Sequence, residues 1–171
     1  MNPPLKNIVL IGMMGTGKST VGLLLAAETG LALVDLDQRI VEKAGRTIPD
    51  IFAAEGEAYF RELESAILRS TLQERGIVLA TGGGAVLREE NRLVMREGGL
   101  VVALQATAEE ILARVGEDPG RPLLAGGAKE RVIALLEERK DAYAFAHLTV
   151  DTSGKSAEQV SDEILTHYRG S

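Results

Sequence analysis

A glycine-rich segment that ends in lysine and serine is the strongest chemical signal in the sequence. Residues 12–19 read Gly-Met-Met-Gly-Thr-Gly-Lys-Ser, and they follow Asn-Ile-Val-Leu-Ile at positions 7–11, a run typical of a buried strand. The spacing Gly-x-x-x-x-Gly-Lys-Ser between a strand and a helix is that of a P-loop. The alternative, a glycine-rich turn with a surface lysine, does not explain both the position and the spacing. The segment therefore predicts binding of a nucleoside triphosphate.

Each constrained position of this P-loop has a task in phosphate chemistry. Three glycines let backbone N–H groups approach a phosphate chain without an intervening Cβ, namely Gly12, Gly15 and Gly17. Lys18 would bring a positive charge to the β- and γ-phosphates, and the Ser19 hydroxyl would ligate magnesium. These residue types predict a site for a nucleotide together with its metal ion.

Two aspartates, Asp35 and Asp37, come at the end of the second predicted strand. In an open α/β sheet ligands bind at the carboxyl ends of strands, so we expect both acids on the same side, near the P-loop. One can serve magnesium and the other a substrate. For Asp37 alone, capping a helix that begins at Gln38 is the alternative. Asp35 is harder to explain in that way, because burying an unpaired charge is costly.

Two further patterns are weaker when each is taken alone. Gly82–Gly84 follow Thr81 at the end of the third predicted strand, where bare backbone amides would permit close approach of a ligand. A tight turn would use three glycines equally well. Arg61 lies four residues after Glu57 and three before Glu64, and ordinary ion pairs on a helix surface explain that spacing adequately.

Composition limits the classes of function that the chain could have. Its 171 residues, 45% of them hydrophobic, fit one domain with a substantial core, so we expect a single domain over residues 1–171. The chain has no cysteine, and His147 and His167 are too far apart for a convincing zinc site, so any metal should have oxygen ligands. The net charge of −6 opposes a nucleic-acid partner. Without a signal-peptide or membrane-spanning pattern, we expect a cytoplasmic protein with no membrane partner.

Apolar runs alternate with amphipathic stretches, which is typical of an α/β protein with a parallel sheet. The predicted strands are Ile8–Ile11, Ala32–Asp35, Ile77–Thr81, Leu100–Gln105 and Leu148–Asp151. The predicted helices lie near Ser19–Thr29, Gln38–Ala44, Ile48–Arg75 with a break at Gly56, Glu89–Glu97, Thr107–Val115, Lys129–Ala144 and Ser156–Arg169. Helix C-caps are expected at Gly30, Gly45 and Gly76. Residues 116–128, around Arg121, have no hydrophobic period and suit a mobile lid, with a floppy surface loop as the alternative.

Taken in order, these motifs resemble the shikimate kinase family. The matching segments read GMMGTGKST, DLD, GRTIPDIFAAEGEAYFRELE, GGGAV and RPLL, followed by Arg139 four residues before Tyr143. Many kinases share the P-loop, but the combination of the other segments is specific, and the resemblance extends from about Asn7 to Tyr168. It implies a P-loop kinase fold, with a five-stranded parallel sheet of order 2-3-1-4-5 between helices. It also implies transfer of the γ-phosphate of ATP to the 3-hydroxyl of shikimate, a step of aromatic amino-acid biosynthesis.

The resemblance also implies roles for individual residues. The shikimate contacts would be Asp37, Arg61, Gly82, Gly83, Gly84 and Arg139. The ATP contacts would be Gly12, Gly15, Thr16, Gly17, Lys18, Ser19, Thr20, Arg114, Arg121 and Lys155. Glu64 would hold Arg61, and Phe52 and Phe60 would line the substrate pocket, which lies among the helices at about 36–65. Met14 of the P-loop would form an apolar floor under the substrate ring, with ordinary loop packing as the alternative. Lys18, Asp37 and Arg121 would be catalytic, and Ser19 and Asp35 would bind Mg²⁺.

The chemistry of shikimate agrees with these roles, because its carboxylate suits a planar guanidinium and its hydroxyls suit an aspartate. The lid is about one residue short, which leaves Arg139 and Lys140 as alternatives for the second cation; we prefer Arg139 because a guanidinium binds a carboxylate bidentately. Two other functions stay open, namely a different small-metabolite P-loop kinase of the gluconate type and a non-catalytic nucleotide-binding regulator. We expect a monomer.

Overall fold

A five-stranded parallel sheet lies at the centre of the molecule. The structure is a computed structural model, and it describes residues 6–12, 16–115 and 128–170. The strands are β1 (Asn7–Gly12), β2 (Ala32–Asp35), β3 (Ile77–Ala80), β4 (Gly99–Gln105) and β5 (Leu148–Asp151). Their order in the sheet is β2-β3-β1-β4-β5, and every neighbouring pair is parallel. The predicted fold class and strand order are confirmed.

Helices cover both faces of this sheet. They are α1 (Lys18–Thr29), α2 (Leu36–Ala44), α3 (Ile48–Glu55), α4 (Glu57–Thr71), α5 (Glu89–Gly98), α6 (Ala108–Val115), α7 (Ala128–Arg139) and α8 (Ala157–Gly170). Two short 3₁₀ helices span Ala85–Leu87 and Asp141–Tyr143. None of the helices in the part of the chain that the structure describes is both long and apolar enough to cross a membrane.

Alternate residues of β1 point to opposite faces, and this divides the core into two clusters. Val9 and Ile11 belong to a cluster that α2 to α7 cover. Ile8 and Leu10 belong to a second cluster, which α1 and α8 cover. All four side chains are fully buried, as expected for a central strand of a parallel sheet. The strand that leads into the P-loop is therefore packed on both of its faces.

Several predicted boundaries are wrong by a few residues. Helix α4 ends at Thr71 instead of Arg75, so Gly76 is not its cap; the Gly76 carbonyl accepts the N–H of Ala32 at 3.0 Å and tethers the start of β2. Gly30 and Gly45 do cap α1 and α2, as predicted.

The predicted helix Lys129–Ala144 also ends early. Helix α7 stops at Arg139, and Asp141–Tyr143 form a separate 3₁₀ turn. This tighter turn places Tyr143 in the core, where it is 8% exposed. Contacts with distant residues therefore override the local helical pattern here.

Candidate active site

Two glycines, one at the end of β1 and one at the start of α1, have backbone conformations that favour glycine. Gly12 has φ of +143°, and a Cβ at this position would lie 2.5 Å from the carbonyl oxygen of Leu104 on the adjacent strand. Gly17, with φ of +91° and ψ of +21°, is the N-cap of α1. Both glycines are therefore required by the backbone, in accord with the predicted turn from strand to helix.

The beginning of α1 is a suitable place for an anion. The first turn of the helix contains no acidic residue, and no described side chain caps it. Its N–H groups and the positive end of the helix dipole therefore favour a phosphate group. Lys18 is the first residue of the helix, and its ammonium group donates a hydrogen bond to the carbonyl oxygen of Gly12. This bond keeps the positive charge at the end of β1.

A cavity of about 380 Å³ connects three of the predicted motifs. It lies at the carboxyl ends of β1, β2 and β3, where ligands bind in open α/β sheets. Its lining residues are Gly17, Lys18, Ser19, Thr20, Asp35, Asp37, Ala80, Thr81, Gly82 and Gly83. The structure thus brings the P-loop, the aspartate pair and the glycine loop around one space.

The two aspartates have different environments. The exposed Asp35 caps α2, because its Oδ1 accepts the N–H of Gln38 at 3.2 Å. The helix therefore begins at Leu36, and the alternative in which Asp37 is the cap is wrong. Asp37 lies in the first turn and is partly buried. Burial, and secondarily the charge of Asp35, raise the pKa of the Asp37 carboxyl above its usual value, while Lys18 and Arg61 act in the opposite direction.

Arg61 and Glu64 form a largely buried ion pair. Arg61 Nη1 donates to Glu64 Oε1 at 2.9 Å, and only 16% of the Arg61 side chain and 1% of the Glu64 side chain are exposed. The Arg61 guanidinium also lies over the Phe60 ring, 5.2 Å from its centroid, and Phe60 packs against Phe52 with a centroid distance of 4.7 Å. Burial raises the pKa of Glu64, and the guanidinium opposes this rise. A solvated ion pair on a helix surface does not describe this arrangement.

Arg139, rather than the exposed Lys140, lies against the glycine loop. Its Nη1 is 2.9 Å from the point that a Cβ on Gly83 would occupy. The buried Tyr143 donates a hydrogen bond from its hydroxyl to the Gly83 carbonyl oxygen at 3.3 Å. Burial raises the pKa of Tyr143, and the charge of Arg139, together with a hydrogen bond between the two side chains, opposes this rise. Tyr143 is not among the predicted site residues, and in the sequence only its spacing from Arg139 points to this role.

A second cavity, of about 260 Å³, adjoins the first along the P-loop. Four predicted ATP residues line it, namely Thr16, Gly17, Thr20 and Lys155. Thr152, in the loop that was expected beside the adenine, lines it as well, and three residues that the sequence did not point to complete the lining, namely Val21, Ala157 and Val160. Thr152 is held by two hydrogen bonds of 2.8 Å, from its N–H and its hydroxyl, to the carbonyl oxygen of Gln105. Lys155 pairs with Glu163 at 2.9 Å. The apolar members suit the base of a nucleotide whose phosphates extend into the first cavity.

Several predicted site residues lie outside the part of the chain that the structure describes. They are Met14, Gly15, Arg121 and residues 116–127 of the predicted lid, and the side chain of Arg114 in α6.

The residues predicted to bind magnesium are compatible with a metal that is held together with nucleotide. Within residues 6–12, 16–115 and 128–170 there is no group of three or more His, Cys, Asp or Glu side chains that could bind a metal alone. Ser19 and Asp35 line the same cavity and are both exposed. Mg²⁺ characteristically takes one or two protein oxygens and completes its shell with phosphates and water. This donor set fits that mode of binding.

The chain is similar to known proteins over nearly its whole length. The family described as shikimate kinase matches residues 14–169. A shikimate kinase from Geobacter sulfurreducens is 52% identical over 165 residues, which are 96% of this chain and 91% of that protein. The solved structure of a shikimate kinase from Acinetobacter baumannii in complex with shikimate has a TM-score of 0.90 and 39% identity, and the match covers 97% of this chain and 94% of the other.

A gluconokinase from Sinorhizobium meliloti has a TM-score of 0.63 over 98% of this chain and 94% of its own, but it is only 19% identical and so shows a shared fold alone. The family match and the extent of identity, together with a site that contains the P-loop, the aspartate pair and the glycine loop, lead to one assignment. The chain belongs to the shikimate kinase family.

Proposed function

We propose that this chain transfers the γ-phosphate of ATP to the 3-hydroxyl of shikimate, giving shikimate 3-phosphate and ADP. One observation carries the proposal: a single cavity joins Lys18 and Ser19 to Asp37 and to the glycine loop, against which Arg61 and Arg139 lie. A phosphate site, an acceptor for a hydroxyl proton and cations for a carboxylate are therefore adjacent. These are the groups that this phosphoryl transfer needs.

Shikimate would bind by its carboxylate to two guanidinium groups. Arg61 and Arg139 lie against consecutive glycines, Gly84 and Gly83. A carboxylate accepts well from such planar forks, which fix its orientation as well as its position. The hydroxyls at the other side of the ring would then face Asp37, and the aromatic pair of Phe52 and Phe60 would form a wall of the pocket.

Transfer requires alignment and charge neutralisation more than covalent participation by the protein. The start of α1 and Lys18 would hold the β- and γ-phosphates, and Ser19 and Asp35 would hold Mg²⁺, which neutralises charge on those phosphates when bound. The Asp37 carboxylate would accept the proton of the 3-hydroxyl while the oxygen of that hydroxyl forms a bond to the γ-phosphorus. The bond from that phosphorus to the β–γ bridging oxygen breaks, and ADP leaves.

Nucleotide recognition and closure would use the remaining predicted residues. The second cavity, with Lys155 at its edge, would take the base and ribose of ATP, with Arg114 beside the adenine. Arg121 would reach the transferring phosphate when the lid at 116–128 closes and excludes water. We further propose that residues 1–171 form one kinase domain, which acts as a monomer in the cytoplasm with ATP and shikimate as its partners.

The direct test is ADP release from ATP and Mg²⁺, measured with shikimate, with gluconate and with no acceptor. We expect release that depends on shikimate and equal background rates in the other two reactions. Faster ADP release with gluconate than with shikimate would favour a small-metabolite kinase of the gluconate type. Nucleotide binding without turnover in all three reactions would favour the regulator.

Replacing Arg61 by lysine should weaken shikimate binding by about 1.5–3 kcal/mol, the worth of hydrogen bonds to a charged group. The carboxylate that Arg61 binds is present in both ground and transition states, so KM should rise with little change in kcat. Titration calorimetry with shikimate and steady-state rates measure the two quantities. Arg69→Lys on the same helix is the matched control. Arg69 is half exposed, and its ion pair with Glu90 is longer, at 3.7 Å, than that of Arg61 with Glu64.

Glu64→Gln tests whether the buried carboxylate orients Arg61. We expect weaker shikimate binding in the same direction as for Arg61→Lys. The effect of both changes together should be less than the sum of the two, because they remove one shared contact. Unchanged affinity in Arg61→Lys would remove Arg61 from the carboxylate site.

A further inference from the structure

Three consecutive glycines each face a different charged side chain. A Cβ added to Gly82 would lie 2.9 Å from Oδ1 of Asp37. A Cβ on Gly83 would lie 2.9 Å from Nη1 of Arg139. On Gly84 it would overlap the guanidinium of Arg61, with its carbon Cζ only 2.6 Å away. The charged groups therefore occupy the spaces that side chains on this loop would fill.

Backbone conformation does not explain these glycines. The three are not among the described residues with positive φ, and Gly84 has φ of −93° and ψ of −3°, which any residue adopts. Gly12 is different, since it has a positive φ and its added Cβ would meet backbone atoms. The lack of a side chain at 82–84 is thus needed for space rather than for a turn.

We propose that each glycine positions one charged side chain for the reaction: Gly82 positions Asp37, Gly83 positions Arg139 and Gly84 positions Arg61. This pairing rests on the proposed function, and it adds a role to the backbone contacts with substrate that the family resemblance implies. A methyl group at one position would displace its own partner and leave the other two in place.

The atoms that an added methyl group would meet make this displacement specific. At Gly82 and Gly84 the three nearest atoms all belong to the end of a side chain, of Asp37 and of Arg61 respectively. A side-chain end can rotate away without a shift of the surrounding backbone. At Gly99, by contrast, the nearest atoms are in the Asn7 backbone, 2.6 Å away, and there a methyl group must disturb the sheet.

Arg61 has little freedom to move without losing its function. Its guanidinium bonds to the Glu64 carboxylate and lies over the Phe60 ring, and it fills the space next to Gly84. A Cβ on residue 84 must therefore push it away from the Glu64 oxygen or off the ring. Displacement of about 1 Å at such a site can reduce activity by up to about 100-fold.

The first test compares kcat and KM for Gly82→Ala and Gly84→Ala. Because Arg61 would act in binding, Gly84→Ala should raise the KM for shikimate by about 10- to 100-fold with kcat nearly unchanged. Because Asp37 would act on the reacting hydroxyl, Gly82→Ala should lower kcat by about 10- to 100-fold instead. Gly170→Ala is the control, because its added Cβ would have no described atom within 4 Å apart from its chain neighbours and the backbone of its own helix. Equal changes in kcat and in KM in the two loop variants would overturn the pairing.

The second test uses double variants. Gly84→Ala combined with Arg61→Lys should have less than the summed effect, whereas Gly84→Ala combined with Asp37→Asn should be close to additive. If the methyl group instead acted on bound shikimate directly, Gly84→Ala and Arg61→Lys would add. Additivity in that pair would therefore contradict the proposal.

A third measurement separates this proposal from the proposed function, because it needs no substrate. In ¹⁵N-labelled protein without ligand, the Nε–H resonance of Arg61 should shift in Gly84→Ala and stay in place in Gly82→Ala. An unmoved Arg61 signal in Gly84→Ala would overturn the pairing even if shikimate is the substrate. A shifted signal in a protein that does not phosphorylate shikimate would support the pairing and reject the function.

Discussion

Lys18→Ala should lower kcat by about 10³-fold, at the upper end of the loss from one group that stabilises transition-state charge. Lys18 lies at the start of α1, and its ammonium group already sits at the end of β1 through its bond to the Gly12 carbonyl oxygen. When ATP enters the cavity, the Lys18 ammonium group would bind its phosphates. Steady-state ADP release at saturating ATP and shikimate measures the loss.

The fold should survive this change, because Lys18 is not part of either hydrophobic cluster. Thermal unfolding of Lys18→Ala should therefore resemble that of the unaltered protein. Lys43→Ala is the matched control, since Lys43 is an exposed lysine in the last turn of α2. The Lys43→Ala protein should have unchanged activity. A folded Lys18→Ala protein with near-normal kcat would exclude the P-loop lysine from the mechanism.

Asp37→Asn should lower kcat by about 10²- to 10⁴-fold, the usual worth of a positioned general base. Asparagine is nearly the same size but cannot accept the hydroxyl proton. The raised pKa of Asp37, caused first by burial and then by Asp35, makes its carboxylate a better proton acceptor than an exposed aspartate. Initial rates with saturating substrates test this, with shikimate affinity measured separately by calorimetry.

The same change should also stabilise the protein at neutral pH. Because the pKa of Asp37 is higher in the folded than in the unfolded chain, stability is greatest below the unfolded value of about 3.9 and falls as pH rises through the folded-state pKa. At pH 7, above the unfolded value, the partly buried carboxylate carries a cost of ionisation that asparagine avoids. We expect a higher Tm for Asp37→Asn at pH 7 and no difference at about pH 3.

Asp50→Asn provides the comparison for both measurements, because Asp50 is an exposed acid in the first turn of α3. It should leave kcat unchanged and give no gain in Tm at pH 7. If Asp37→Asn had a lower Tm than the unaltered protein at pH 7, Asp37 would be a structural residue. Loss of activity together with a gain in stability is instead typical of a residue retained for function.

Local patterns predicted the elements well and their ends less well. The β1 strand and the helix after the P-loop are encoded within a few residues, as are the glycine caps of α1 and α2. Strand β3 ends one residue before the predicted Thr81, whose N–H and hydroxyl both donate to the Leu10 carbonyl oxygen at 3.2 and 2.9 Å. The end of this strand therefore depends on a residue 71 positions away, which a prediction from neighbouring residues cannot include.

Two motifs outside the P-loop, the Arg61 and Glu64 pair and the three glycines, could not be interpreted from spacing alone. The Arg61 and Glu64 pair has the same spacing whether it is solvated or buried, and only packing against Phe60 and the glycine loop decides that it is buried. Sequence likewise permits three glycines in any tight turn. The family resemblance, rather than helix or strand periodicity, gave these residues their predicted roles.

The sequence by itself determined the chemical groups that are available, the P-loop turn and the family, because each depends on residue type and short-range spacing. Tertiary structure decided which charges meet: Asp37, Arg139 and Arg61 come from three helices or helix ends and converge on three neighbouring glycines. The cost of burying a charge, and the space that a missing Cβ leaves, depend on atoms far apart along the chain. The raised pKa of Asp37 and the three glycine pairings therefore arise only when the sheet brings these segments together.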